Sequence, residues 1–206
     1  MTITYTYLET RDLLDSFHEY GWKEHRQQKD WEKRQLSFRQ LKAGNMDDRS
    51  IINLFVKSPK VPKEMKRRFA CICADRIFNT FYQYENTERS VEKALEMGWN
   101  LAWGNRVRRT EIRKIRAQTQ QLMWVLRCEP LYVWNVLETI RAILIDNATE
   151  AAKEASQNAY DAMMRSHPRP AVDAEQRKQI NSIINLTEGK LVLHRIAPSV
   201  KGEIAA

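Results

Sequence analysis

Two proline-bearing segments, SPKVP at 58–62 and HPRP at 167–170, interrupt a chain that otherwise carries little to stop a helix. Proline removes an amide donor and pushes the residue before it out of the helical region, so each segment marks a break. The whole chain holds 6 Gly and 6 Pro in 206 residues, too few for a turn-rich all-β fold. Between the breaks, apolar residues recur at helical steps. Residues 63–84 place Met65, Phe69, Ile72, Ile77, Phe78 and Phe81 in one such pattern. Asn86 or Thr87 suits the cap of the next helix, in which Val91, Leu95, Trp99 and Trp103 follow at steps of four until Gly104 closes it. That shared face predicts that Trp99 and Trp103 are both buried.

Residues 110–127 predict a further helix, with Ile112, Ile115, Leu122, Met123 and Leu126 facing one way. Pro130 suits the first turn of another. Its pattern continues through Val133, Leu137, Ile140 and Leu144 into an alanine-rich stretch, which predicts one helix ending near Met164. Asp173 with Gln176 resembles a capping box for a last helix to about Leu186. Nearer the N-terminus, alternation of Ile3, Tyr5 and Tyr7 with threonines suggests a short edge strand. A short helix over 12–20 and a charged, exposed helix over 22–41 are expected to follow, and Asp47 or Asp48 can cap a helix carrying Ile51, Ile52, Leu54 and Phe55. A brief β-like run, KLVLHRI, opens the C-terminal tail. The expected fold class is all-α, a helical bundle with a small strand pair formed by the two termini. Its natural segments are 1–62, 63–166 and 167–206.

No apolar run approaches the roughly 20 residues that cross a bilayer, and the N-terminus lacks the basic and apolar regions of a secretory signal. Three cysteines, an odd number, argue against a disulfide framework. A cytoplasmic, membrane-free protein is the expectation. Cys71 and Cys73 fall within a helical pattern, where residues two apart point about 200° apart and cannot share one metal ion. Cys128 stands alone, and His18, His25, His167 and His194 show no metal-ligand spacing. Both paired-spacing cysteines therefore read as small packing residues. Asp75 and Arg68 are seven residues apart, a weak link on one helix, so Asp75 is expected to bond a neighbouring helix. No phosphate-binding glycine loop or nucleophile elbow occurs. The acidic pairs Asp47–Asp48 and Glu150–Glu154 fit caps and solvated helix faces. The chain is expected to be no enzyme, and to bind no cofactor and no metal.

The net charge of +8 and pI near 9.5 favour an acidic partner. The charge concentrates where Arg106, Arg108, Arg109, Arg113, Lys114 and Arg116 fall within eleven positions, opposed only by Glu111. Arg109, Arg113, Arg116 and Gln120 follow at steps of four, three and four, a row expected opposite the Ile112, Ile115 and Leu122 stripe. Such a face could track a phosphate backbone or an acidic protein surface. Trp22, Trp31, Trp99 and Trp103 are not interleaved with it, so an aromatic stacking platform is unsupported.

The runs RRFACICADRIFNTF, NTERSVEKALEMGWNLAWG and TEIRKIRAQTQQ together resemble the helical immunity proteins of bacterial polymorphic-toxin systems, which phage genomes also carry. The residues that carry the likeness are Arg68, Ala70, Cys71, Cys73, Ala74, Asp75 and Arg76, then Glu88, Arg89, Ala94 and Trp99, with an alanine-rich later helix over 147–162. The likeness covers roughly 65–163; the family's alanine-rich members have a less basic third helix. It implies an all-helical, non-catalytic protein that binds and neutralises another protein. The alternative is a basic nucleic-acid-binding regulatory protein that uses the 106–116 helix.

Overall fold

The computed structural model describes residues 3–6, 9–10, 13, 35–44, 46–81, 88–126 and 130–190. Among them are eight helices and one two-stranded antiparallel sheet. Strand β1 (Thr4–Tyr5) pairs with β2 (Leu36–Ser37), and the helices follow as α1 (Phe38–Ala43), α2 (Asp48–Lys57), α3 (Lys63–Phe81) and α4 (Glu88–Ala102). Then come α5 (Arg109–Val125), α6 (Leu131–Ala142), α7 (Ala148–Ser166) and α8 (Arg169–Thr187). The all-α class is therefore observed, with the strand pair at the N-terminal end. No helix among the described residues is long and apolar enough to cross a membrane. The expected 12–20 helix except Leu13, most of the 22–41 helix, the Asn86 or Thr87 cap and the tail from 191 lie outside the described residues. So do Cys128, His18, His25, His194, Trp22 and Trp31.

Helix α3 is the axis of the bundle and packs against α4, α6, α7 and α8. Its sequence explains this. Phe69 to Asp75 are buried without a break, and Ile77 with them, so the helix has core on every side rather than along one stripe. Small residues (Ala70, Cys71, Cys73, Ala74) let neighbouring helices come close. Helix α7 contributes the matching feature. Ala151, Ala152, Ala155, Ala159 and Ala162 are all fully buried at steps of three and four, a flat face laid against α3 and α6. The strand pair joins this core through a chain of edge-to-face rings, Tyr5–Phe38–Phe55–Phe69, with centroids 5.3, 5.8 and 5.1 Å apart. The buried Tyr5 hydroxyl donates to Ser58 Oγ at 2.7 Å.

Four expectations need correction. Among the described residues β1 pairs with Leu36–Ser37, and that strand breaks the 22–41 helix: Ser37 and Gln40 form a capping box, so α1 starts only at Phe38. The single helix expected from Pro130 to Met164 is two. Asn147 accepts from the amides of Thr149 and Glu150 and starts α7, which packs along α6 as an antiparallel neighbour. Pro130 is the residue before α6 rather than part of its first turn. Helix α8 starts at Arg169, with Pro170 in its first turn, so Asp173 lies inside the helix and pairs with Arg169. Asp47 caps α2, as its position suggests, by accepting from the Ser50 amide.

Gly98 shows how closely α4 is fitted. A methyl group there would sit 2.5 Å from Cδ1 and 3.2 Å from Cβ of Ile143. Gly98→Ala should therefore destabilise by about 1–3 kcal/mol through overpacking, despite a helix-propensity gain of about 1 kcal/mol. Urea unfolding should show this, with part of the loss recovered in Gly98→Ala/Ile143→Val.

Candidate interaction surface

The charged residues of KRRFACICADRIF divide the work of holding α3 to its neighbours. Lys66, almost fully buried, donates to Thr149 Oγ1 of α7 at 3.0 Å. Arg67 donates to the carbonyls of Ile145 and Asp146 in the α6–α7 connection. Arg76 donates to Glu175 Oε1 at 2.9 Å, Ser182 Oγ at 2.9 Å and the Lys178 carbonyl at 3.0 Å, all on α8. Asp75 does bond a neighbouring helix: Trp99 Nε1 of α4 donates to its Oδ2 at 2.8 Å. Its other oxygen is buried with no hydrogen-bond partner among the described residues. Burial pushes the Asp75 carboxyl up to about 6, although the Trp99 hydrogen bond and the nearby Arg76 oppose this.

Cys71 and Cys73 lie in unbroken helix, both buried. Burial raises both thiols, Cys73 to about 12, so neither is a thiolate at neutral pH. Their place in the core is that of packing residues.

Trp99 is buried as its spacing predicts, but Trp103 is not: 49% of its surface is exposed. The reason is the helix end. Gly104, at φ +75°, turns the chain out of α4, and the Asn105 amide bonds back to the Asn100 carbonyl. Trp103 stacks on Trp99 with centroids 6.2 Å apart, and the Arg68 guanidinium lies 4.1 Å over its ring. Sequence reasoning missed this arrangement, because the charged residues from Arg68 to Arg76 serve two different neighbours, Arg68 and Asp75 the end of α4 and Arg76 the α8 helix.

The basic segment of 106–116 is divided among several directions. Arg106, Arg108, Arg109, Arg113 and Lys114 are exposed, whereas Arg116 and Gln120 are half-buried. The row Arg109, Arg113, Arg116 and Gln120 does not lie opposite the buried stripe. Ile112, Ile115, Thr119 and Met123 are the buried residues of α5, and at about 100° per residue the row sits only about 85° from their centre. That offset accounts for the half-burial of Arg116, which lies close enough to Glu154 on α7 to lower that carboxyl, otherwise raised by burial and Glu150. None of the six cations forms an ion pair among the described residues.

Arg106 and Lys114 instead line an open groove of about 370 Å³ between α4 and α5. Lys93, Glu96 and Glu111 share its rim, and Met97, Val107 and Ile115 form its apolar floor. Among the described residues, no cluster of His, Cys, Asp and Glu is placed to hold a metal ion. No family model, curated protein or solved structure matches this chain.

The raised Asp75 carboxyl makes stability depend on pH. Its folded value lies above the ordinary 3.8, so its contribution is complete below about pH 4 and is lost as pH rises through about 6. The stability of the protein minus that of Asp75→Asn should therefore fall between pH 4 and pH 6, as read by urea unfolding. Trp99→Phe, which strips the carboxylate of its donor, should cost about 1–3 kcal/mol at pH 7.

Proposed function

We propose that this chain is a non-catalytic binding protein of the immunity or inhibitor type, which neutralises a protein partner through the α4–α5 surface. The observation that carries this reading is the mixed charge of the groove. Glu96 and Glu111 stand beside Lys93, Arg106 and Lys114 around apolar residues. A phosphate backbone is repelled by carboxylates at the same rim, whereas a protein surface can answer both signs and cover the apolar floor. The likeness of 65–163 to helical immunity proteins points the same way.

The second reading, a basic nucleic-acid-binding regulator, is favoured by the exposed cations Arg108, Arg109 and Arg113, which have no carboxylate partner among the described residues. It requires a phosphate track, whereas Arg106 and Lys114 of the same segment stand beside Glu96 and Glu111 at the groove. Under either reading, Arg109 and Arg113 meet the partner while contributing little to folding.

Arg109→Glu/Arg113→Glu should leave stability within about 0.5 kcal/mol per site, as exposed substitutions do. The tagged chain, expressed in its native host and purified after nuclease treatment, should retain a stoichiometric protein partner, and the double reversal should weaken that complex at least tenfold. Loss of all bound material on nuclease treatment would discard the protein reading. So would duplex or RNA binding tighter than about micromolar at physiological salt, which is beyond ordinary non-specific affinity.

A further inference from the structure

Among the described residues helix α5 lies at the edge of the bundle, packed on α4 and α6, and its outward residues are exposed from end to end. The two ends of that face differ in chemistry. At the N-terminal end stand Arg109, Arg113 and Lys114, exposed and without a carboxylate partner among the described residues. At the C-terminal end, Trp124 is 61% exposed and Val125 71% exposed, and Leu131, at the start of α6, is 59% exposed. Between them, exposed Ala117 and Gln121 form a low, neutral saddle. From Arg109 to Trp124 the track is about 22 Å long, at 1.5 Å per residue. Exposed tryptophan grouped with aliphatic residues is the composition of an interface anchor.

We propose that this face docks an acidic amphipathic helix of a partner protein. Carboxylates at one end of that helix meet Arg109, Arg113 and Lys114, and apolar side chains at the other cover Trp124, Val125 and Leu131. The inference rests on the protein-binding reading above and adds the partner's chemistry and polarity. The positive end of the α5 dipole adds to the three cations in favouring carboxylates there. A straight track one helix wide, low in the middle, suits a helix laid along it. A second copy of the chain fits poorly. Laid parallel, it sets cation against cation; laid antiparallel, it buries guanidinium groups on Val125 and Leu131 with no carboxylate to pair them. An interfacial membrane helix carries its apolar face along its length, whereas here the first half presents Arg109, Thr110, Arg113 and Lys114.

The test uses two synthetic helical peptides of about 16 residues with one composition, titrated into the full chain and read by tryptophan emission and calorimetry. One has glutamates in one half and leucine and phenylalanine in the other; the second interleaves them. The segregated peptide should bind at least tenfold tighter and shift the emission to the blue. Arg113→Glu/Lys114→Glu and Trp124→Ala should each weaken it tenfold or more, while Trp124→Phe retains most of the affinity and all variants keep the parent's circular dichroism. Equal binding of the two peptides, indifference to Trp124→Ala, self-association through this face, or tighter binding to phosphatidylglycerol vesicles overturns the proposal. If a natural protein partner is still captured by Trp124→Ala at parental affinity, the docking face is wrong and the broader protein-binding reading stands. If nuclease removes everything captured, both fall.

Discussion

The bundle depends on α3 being surrounded. Along its buried middle this helix has no solvent face to which charged residues can retreat, so each must find a partner inside the protein or carry a desolvation cost. Lys66, Arg67, Asp75 and Arg76 solve this by reaching to four different places: α7, the α6–α7 connection, α4 and α8. The same bonds that satisfy the charges fix where the neighbours sit. The solution is incomplete, since one Asp75 oxygen and the Nε atoms of Arg68 and Arg76 have no hydrogen-bond partner among the described residues. The apolar contacts around them, with Phe69, Ile72 and Ile77 fully buried, offset that cost.

This explains why α7 is so rich in alanine. Side chains that bonded to α3 at arm's length would hold the helices apart; the alanine face instead lets α7 lie close to both α3 and α6. Lys66 can then reach Thr149, and Gln179 of α8 can reach the Ser156 carbonyl, at 3.4 Å, behind it. Close packing at α3 and α7 leaves α5 outside, touching the bundle by one stripe. The surface with exposed cations and open apolar side chains thus follows from where the small residues are concentrated.

Much of this was legible in the sequence, because helical periodicity reports burial directly. The stripes of α2, α4 and α5, the two proline breaks and the Asp47 cap were readable from spacing alone. Boundaries set by single side chains were not. Ser37 with Gln40, and Asn147 ahead of Thr149 and Glu150, interrupt apolar patterns that continue in register on either side, so periodicity runs straight through them. Trp103 keeps the four-residue step of its helix but lies where Gly104 turns the chain away, and a periodic pattern cannot show that the neighbour has ended. For the surface, the cationic cluster was visible, but its division was not. Whether Arg116 faces solvent or Glu154 depends on where α7 lies relative to α5.

Native-state hydrogen exchange reads this hierarchy most directly, because each amide reports the free energy of the opening that exposes it. Amides of α3 from Phe69 to Ile77 and of α7 from Ala151 to Ala162 should exchange only through global unfolding. Those of α5 should open separately, at a clearly lower free energy, while α3 stays protected. Protection in α5 equal to that of α3, or local opening of α3 while α5 remains closed, would contradict a bundle organised around α3 with α5 at its edge.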